Sequence, residues 1–188
     1  ICAEAMEQHG RLAGDGFVAT VMSNIGLHKY CAAHHMRLLC AAVGDRNVLE
    51  LMQKEGMRLG GEQSGHIIFL DYMPTGDGQL AALQFLKILS HSGKKASELS
   101  DSVTQYPQLL KNVRVTSNDQ KTAIMQAPAL HEAIRAAEEE LGENGRVLIR
   151  PSGTEPLIRV MVEAGTEQQA QVITDRLVQN VENLQKSL

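Results

Sequence analysis

The C-terminal part of the chain switches its hydrophobic period repeatedly, and that switching restricts the fold more than any other feature. Leu130, Ile134, Ala137 and Leu141 recur at helical spacing, the apolar runs Arg146 to Arg150 and Leu157 to Glu163 read as strands, and Ala170, Ile173, Leu177, Val181 and Leu184 return to helical spacing. A further strand is expected over Leu110 to Val115. Thr166 followed by Gln169 forms a capping box at the start of the last helix. Strand, helix, two strands and helix together predict a small α+β module with both helices on one face of a sheet.

The N-terminal part alternates strand and helix more regularly. Gly16 to Met22, Met36 to Ala42 and His66 to Leu70 read as strands. Gly26 to His35, Asn47 to Glu55 and Gln79 to Ser90 read as helices, the second closed by Gly56. The helix after Gln79 is apolar nearly all round (Leu80, Leu83, Phe85, Leu86, Ile88, Leu89), so it is expected inside a core between a sheet and a second layer. The composition turns polar from Ser92, and Gln105-Tyr106-Pro107 breaks the pattern. The expected organisation is a mixed-sheet α/β domain over 1–106 and an α+β domain over 107–188.

Composition narrows the function. With 43% hydrophobic and 21% charged residues in 188, the chain has ordinary globular usage. Its apolar runs, such as Leu38 to Val43, fall far short of the roughly 18 residues that span a bilayer, so no membrane is expected as partner. A formal charge of −4 and three Phe, three Tyr and no Trp supply neither the field nor the stacking platforms of a nucleic-acid binder. Cys2, Cys31 and Cys40 are odd in number and lack metal-ligand spacing, which predicts packing thiols in a reducing, cytoplasmic setting. Ile1 to His9 reads as the tail of a helix closed by Gly10, so a truncated chain is expected. The sequence leaves a homodimer open.

Two loops carry chemistry. Arg150-Pro151-Ser152-Gly153-Thr154-Glu155-Pro156, with Arg159 three residues on, concentrates two guanidinium forks, two hydroxyls and a glycine between two strands. Those groups suit a phosphate dianion: planar donors from Arg150 and Arg159, hydroxyl donors from Ser152 and Thr154, and unobstructed backbone N–H groups at Gly153. An ordinary polar turn between solvated strands is the competing reading. Gly60-Gly61-Glu62-Gln63-Ser64-Gly65-His66 is neither a Walker loop nor a dinucleotide fingerprint. Glu62, Gln63 and Ser64 offer acceptor, amide and hydroxyl groups matched to sugar hydroxyls, with a glycine-rich turn as the alternative. Gly44-Asp45-Arg46 either aims Arg46 at an anion or uses Asp45 as a helix N-cap. Thr75-Gly76-Asp77-Gly78 reads as a helix start, and the histidines have no ligand spacing, so no metal site is expected in this chain.

Taken together, the GEQSGH segment from Gly61 to His66 and the RPSGTEP segment from Arg150 to Pro156 resemble the α-D-phosphohexomutase superfamily, as do Gly44-Asp45-Arg46, the Thr75 to Gly78 turn and the strand Leu157 to Glu163. Gln63 resembles the glucosamine branch more than the phosphomannomutase/phosphoglucomutase branch, where Met is common. The resemblance places the chain on the third and fourth of four domains. It implies that Glu62 and Ser64, with Gln63 and His66 nearby, grip the sugar. Arg150, Ser152, Gly153, Thr154 and Arg159 would clasp the phosphate that is not being transferred, with Arg46 as a further neighbour. The activity implied is interconversion of glucosamine 6-phosphate and glucosamine 1-phosphate through a phosphoserine enzyme and a bisphosphate intermediate, on the route to cell-wall amino sugars. The alternatives are a mutase acting on mannose or glucose phosphates and a non-catalytic phosphosugar-binding protein. The phosphoserine loop (TASHNP) and the magnesium loop (DGDxDR) have no counterpart here. No catalytic residue is therefore expected in this chain. Mg²⁺ is expected only in the full-length enzyme, along with the missing N-terminal domains as partners.

Overall fold

The computed structural model describes residues 1–187. The chain divides into two compact units, Ile1–Gln105 and Tyr106 onward. Leu188, the last residue of the expected second domain, lies outside the described residues.

The first unit contains, in order, α1 (Cys2–Gln8), β1 (Gly16–Thr20), α2 (Ile25–Ala33), β2 (Arg37–Ala41), α3 (Asp45–Glu55), β3 (Leu59–Gly61), β4 (Ile67–Phe69), α4 (Gly78–Ser92) and α5 (Ala96–Ser100). Its sheet runs β2-β1-β3-β4. β1 is parallel to β2 and β3, while β4 is antiparallel to β3, so the sheet is mixed. Alternation along the strands sends side chains to two cores. Leu59 and Phe69 join Met6, Leu12, Cys31 and Met36 on one face. Val18 and Ile68 join Val48, Met52 and Met57 beneath α3 on the other. α3 crosses β3 so closely that a Cβ at Gly60 would lie 2.4 Å from Met52 Sδ and 2.9 Å from Val48 Cγ1, and only glycine fits there. That contact fixes the start of α3 relative to the loop that follows β3.

β3 was not read from the sequence, because Leu59-Gly60-Gly61 is too short and glycine-rich to show a strand period. The expected burial of α4 is corrected. Leu80 and Ala81 pack against the first core, but no α4 residue is fully buried, and Leu83 and Leu86 are 65% and 54% exposed. A helix apolar all round implies two covering layers, and α4 has one.

The second unit contains β5 (Gln108–Arg114), α6 (Asn118–Gln126), α7 (Pro128–Leu141), β6 (Arg146–Pro151), β7 (Leu157–Glu163) and α8 (Glu167–Ser187). The antiparallel sheet runs β5-β7-β6. Ile158, Val160 and Val162 point to one face and pack with Ile124 of α6, Leu130, Ala137 and Leu141 of α7, and Ile173, Leu177 and Val181 of α8. All three helices therefore share one face. Thr166 Oγ1 accepts the Gln169 N–H at 3.2 Å, which is the N-cap half of the capping box expected at the start of α8. α6 went unread because it carries one fully buried side chain, Ile124; its start is capped by Ser117 Oγ, 3.1 Å from Gln120 N.

The opposite parity of β7 places Arg159, Met161 and Glu163 on the other face of the sheet. Glu163 is fully buried there and accepts a two-pronged bond from Arg146, Nε to Oε2 at 2.7 Å and a terminal nitrogen to Oε1 at 3.2 Å. This pair sits four residue pairs along the ladder from Arg150 and Arg159 and helps to fix the register of the strands that carry them.

Candidate functional site

The loop from Gly61 to His66 closes the β3-β4 hairpin. Glu62 N–H donates to His66 O at 2.9 Å, and Gly65, at φ +97°, donates its N–H to Glu62 O at 3.1 Å. The turn leaves Gln63, Ser64 and His66 exposed and Glu62 half-buried. Glu62 Oε1 accepts the Gly44 N–H at 3.2 Å. Gly44, at φ +122°, is the N-cap of α3, so Asp45 is the first residue inside the helix and not its cap. Freed from capping, Asp45 reaches across to His66, whose Nδ1 lies 2.9 Å from Asp45 Oδ1. The bond to His66 lowers the Asp45 pKa, and the same bond raises that of His66. Partial burial, reinforced by the Asp45 carboxylate alongside, pushes Glu62 upward.

Sequence reasoning missed Asp45 as the residue joining Glu62 to His66. The signal was present only as proximity of two loops. Arg46 points away, 89% exposed and paired with Glu50 at 2.8 Å along α3. Asp45, Glu62 and His66 bring their ligand atoms within 4.8 Å of one another.

The second loop joins β6 to β7 on the other unit. Arg150 and Arg159 are direct cross-strand partners. The Nε atoms of both guanidinium groups are buried without a hydrogen-bond partner. Burial lowers the Arg150 pKa, and the neighbouring Arg159 charge lowers it further. Arg159 has a long ion pair with Glu155 at 3.8 Å, which does not use its Nε. Two guanidinium groups of like charge thus stand on paired residues of adjacent strands, each with one buried donor that has no partner.

The loop backbone is fixed from within. Ser152 is 2% exposed; its N–H donates to Leu157 O at 2.8 Å, and its Oγ accepts the Glu155 N–H at 3.3 Å. Ser152 therefore holds the turn, with its O–H still available to donate. Gly153 and Thr154 are exposed, and a Cβ at Gly153 would meet nothing within 4 Å. Lys121 of α6 donates to Ser152 O at 2.8 Å and to Glu155 O at 3.3 Å. No motif marked this lysine, because the helix that carries it was itself unread.

The family profile described as phosphoglucomutase/phosphomannomutase, alpha/beta/alpha domain III, matches residues 1–106, and the C-terminal domain profile of the same family matches residues 110–180. The chain belongs to the phosphoglucomutase/phosphomannomutase family. Within the family, it is 49% identical over 182 residues to phosphoglucosamine mutase of Oceanobacillus iheyensis and 48% identical over 182 residues to that of Lactococcus lactis subsp. cremoris. In both cases the match covers 97% of this chain and 40% of the relative, so the chain spans about two fifths of the length of these relatives.

Among solved structures, Aspergillus fumigatus N-acetylphosphoglucosamine mutase superposes with a TM-score of 0.79 at 20% identity, covering 98% of this chain and 41% of that one. The same fungal enzyme in complex with GlcNAc-6P and magnesium superposes at 0.78 with 18% identity, covering 97% and 42%. These likenesses show the fold: an α/β domain with a mixed sheet followed by an α+β domain with an antiparallel one.

Proposed function

We propose that this chain, a phosphohexomutase-family pair of domains over 1–106 and 107–188, supplies the sugar and phosphate grips of a phosphoglucosamine mutase. The observation that carries this reading is the cross-strand pair Arg150 and Arg159, whose buried Nε donors have no partner in the protein. Buried donors are almost always satisfied, and two guanidinium donors left open on adjacent strands suit a bound anion. The identity of about 49% to bacterial phosphoglucosamine mutases supports glucosamine phosphate as the anion's carrier.

A mutase that moves a phosphoryl group between the two ends of a hexose binds its substrate in two orientations. One phosphate must be held while the other end reacts. Arg150 and Arg159 with Gly153, Thr154 and the Ser152 hydroxyl hold that phosphate. Glu62, kept half-buried against Gly44, accepts from sugar hydroxyls, and Gln63, Ser64 and His66 flank it. Because hydroxyls both donate and accept, this grip serves either orientation. Arg46, exposed in a weak surface pair with Glu50, is a further candidate contact.

Phosphoryl transfer needs a donor and a divalent cation to neutralise developing charge. Neither the phosphoserine motif nor the magnesium motif occurs in these 188 residues. The Asp45, Glu62 and His66 group does not fit Mg²⁺. The ion prefers an octahedron of oxygens, whereas here an imidazole is one of three ligands and already bonds Asp45. Transfer and Mg²⁺ binding thus belong to the other part of the full-length enzyme, in the cytoplasm on the route to cell-wall amino sugars. Among the described residues no helix is long and apolar enough to cross a membrane.

The test is a titration of glucosamine 6-phosphate into the isotope-labelled chain. Amide signals at Ser152 to Thr154 and at Glu62 to Ser64 shift, Arg150→Ala removes the first set, and no glucosamine 1-phosphate forms even with added magnesium. Unchanged spectra at millimolar ligand would sink the reading.

A further inference from the structure

We propose that Lys121 is a positioning residue that presets the phosphate-binding loop, turning the Gly153 N–H toward the side of the sheet where Arg150 and Arg159 stand. The inference rests on the phosphate-site reading above and adds to it a residue outside the loop.

The half-buried ammonium donates to two backbone carbonyls of one turn, Ser152 O at 2.8 Å and Glu155 O at 3.3 Å. Among the described residues its side chain has no carboxylate partner. A lysine that gives up full hydration for two neutral acceptors is satisfying their lone pairs and is not neutralising an acid. The choice of carbonyls matters. In a planar trans peptide the C=O of one residue and the N–H of the next point in opposite directions. Lys121 comes from α6, and Ile124 one turn further along that helix packs in the core beneath Ile158 and Val160. The ammonium therefore draws Ser152 O toward the helix-covered side. The Gly153 N–H is turned the other way, toward the face that carries Arg150 and Arg159.

At the far end of the turn Glu155 O is held by the same ammonium, and the next residue, Pro156, has no N–H to orient. One cation thus removes two acceptor carbonyls from the surroundings of an anion and leaves donors in their place. Without it the Ser152 carbonyl loses the donor that orients it, and the exposed Gly153 peptide is freer to turn a carbonyl toward the ligand. Presetting the loop before the anion arrives lowers the ordering cost of binding.

The experiment uses the labelled 188-residue chain with inorganic phosphate as probe, comparing wild type, Arg150→Ala, Lys121→Met and Lys121→Arg. Wild type shows saturable shifts at Gly153 and Thr154 that Arg150→Ala abolishes; a silent wild type would overturn the site reading and this proposal with it, before any Lys121 variant is read. Given a responsive wild type, Lys121→Met melts within a few degrees of it, shows a displaced Gly153 amide signal without ligand, and binds phosphate about tenfold more weakly. Lys121→Arg, which can still donate to both carbonyls, recovers most of the loss. If Lys121→Met does not fold, Lys121→Gln carries the same comparison with one shorter neutral donor. Phosphate binding by a neutral Lys121 variant with wild-type affinity and an unmoved Gly153 signal would overturn the proposal alone. An equal loss in the arginine variant would do the same.

Discussion

Replacing Arg150 by methionine tests whether the phosphate loop stores unfavourable energy for its ligand. Methionine keeps most of the apolar stem that Arg150 packs along β6 and removes one guanidinium. Without ligand the wild-type pair has two buried Nε donors without partners, and the proximity of Arg159 disfavours the Arg150 charge. One unsatisfied buried donor costs about 1–3 kcal/mol. Like charges on adjacent strands at the protein surface add about 1 kcal/mol at an effective dielectric between those of water and protein. Some packing is lost with the substitution, so the net expectation is that Arg150→Met stabilises the second unit by about 1–2 kcal/mol in phosphate-free buffer.

For a unit of this size that corresponds to a rise of about 5–10 °C in melting midpoint, readable by differential scanning calorimetry. Phosphate at a hundredfold excess over its dissociation constant stabilises the wild type by about 2.7 kcal/mol and the variant hardly at all, so the order of the two midpoints reverses. A variant less stable than wild type without phosphate, or one protected equally by phosphate, would refute the stored-strain reasoning.

Three other outcomes follow from the geometry. Arg146→Met leaves the fully buried Glu163 carboxylate without its guanidinium and should cost about 3–5 kcal/mol in urea unfolding, with a neutral result counting against the pairing. His66 titrates above the ordinary histidine value of about 6.5 because Asp45 favours its charged form, and Asp45→Asn returns it there. The stability from this pair is complete below the unfolded histidine pKa and is lost as pH rises through the raised folded one. On the acid side it fades as pH falls through the lowered Asp45 pKa; an NMR titration of His66 with the same midpoint in both proteins would refute the link. Leu83→Ser, on the exposed face of α4, should change the stability of this chain by less than about 0.5 kcal/mol, whereas a loss above 2 kcal/mol would mean that the face is covered.

Much of the fold was legible because its signals are local. The β6 and β7 runs, the α7 and α8 stripes, the Thr166 cap and the Gly56 stop each need only a few consecutive residues to read. What escaped depended on tertiary neighbours. β3 is three residues with two glycines, shaped by the approach of Val48 and Met52. α6 has one buried side chain, too few for a stripe. The breadth of the α4 apolar surface showed that it is hydrophobic and gave no information about which layer covers it. At the site, residue types revealed the loops, since two arginines, hydroxyls and glycine are chemically conspicuous. They did not reveal that Ser152 faces inward, that Asp45 serves His66 in place of a cap, or that Lys121 ties the loop from a helix thirty-one residues upstream.

The central claim is that the buried guanidinium donors of β6 and β7 exist to hold a phosphate. A crystal structure of the chain grown with glucosamine 6-phosphate addresses it most directly. The account predicts a phosphate hydrogen-bonded to Arg150 Nε, Arg159 Nε and the Gly153 N–H, with Lys121 still on Ser152 O and Glu155 O. Fully occupied ligand phosphate elsewhere, with both Nε atoms still without partners, would contradict it.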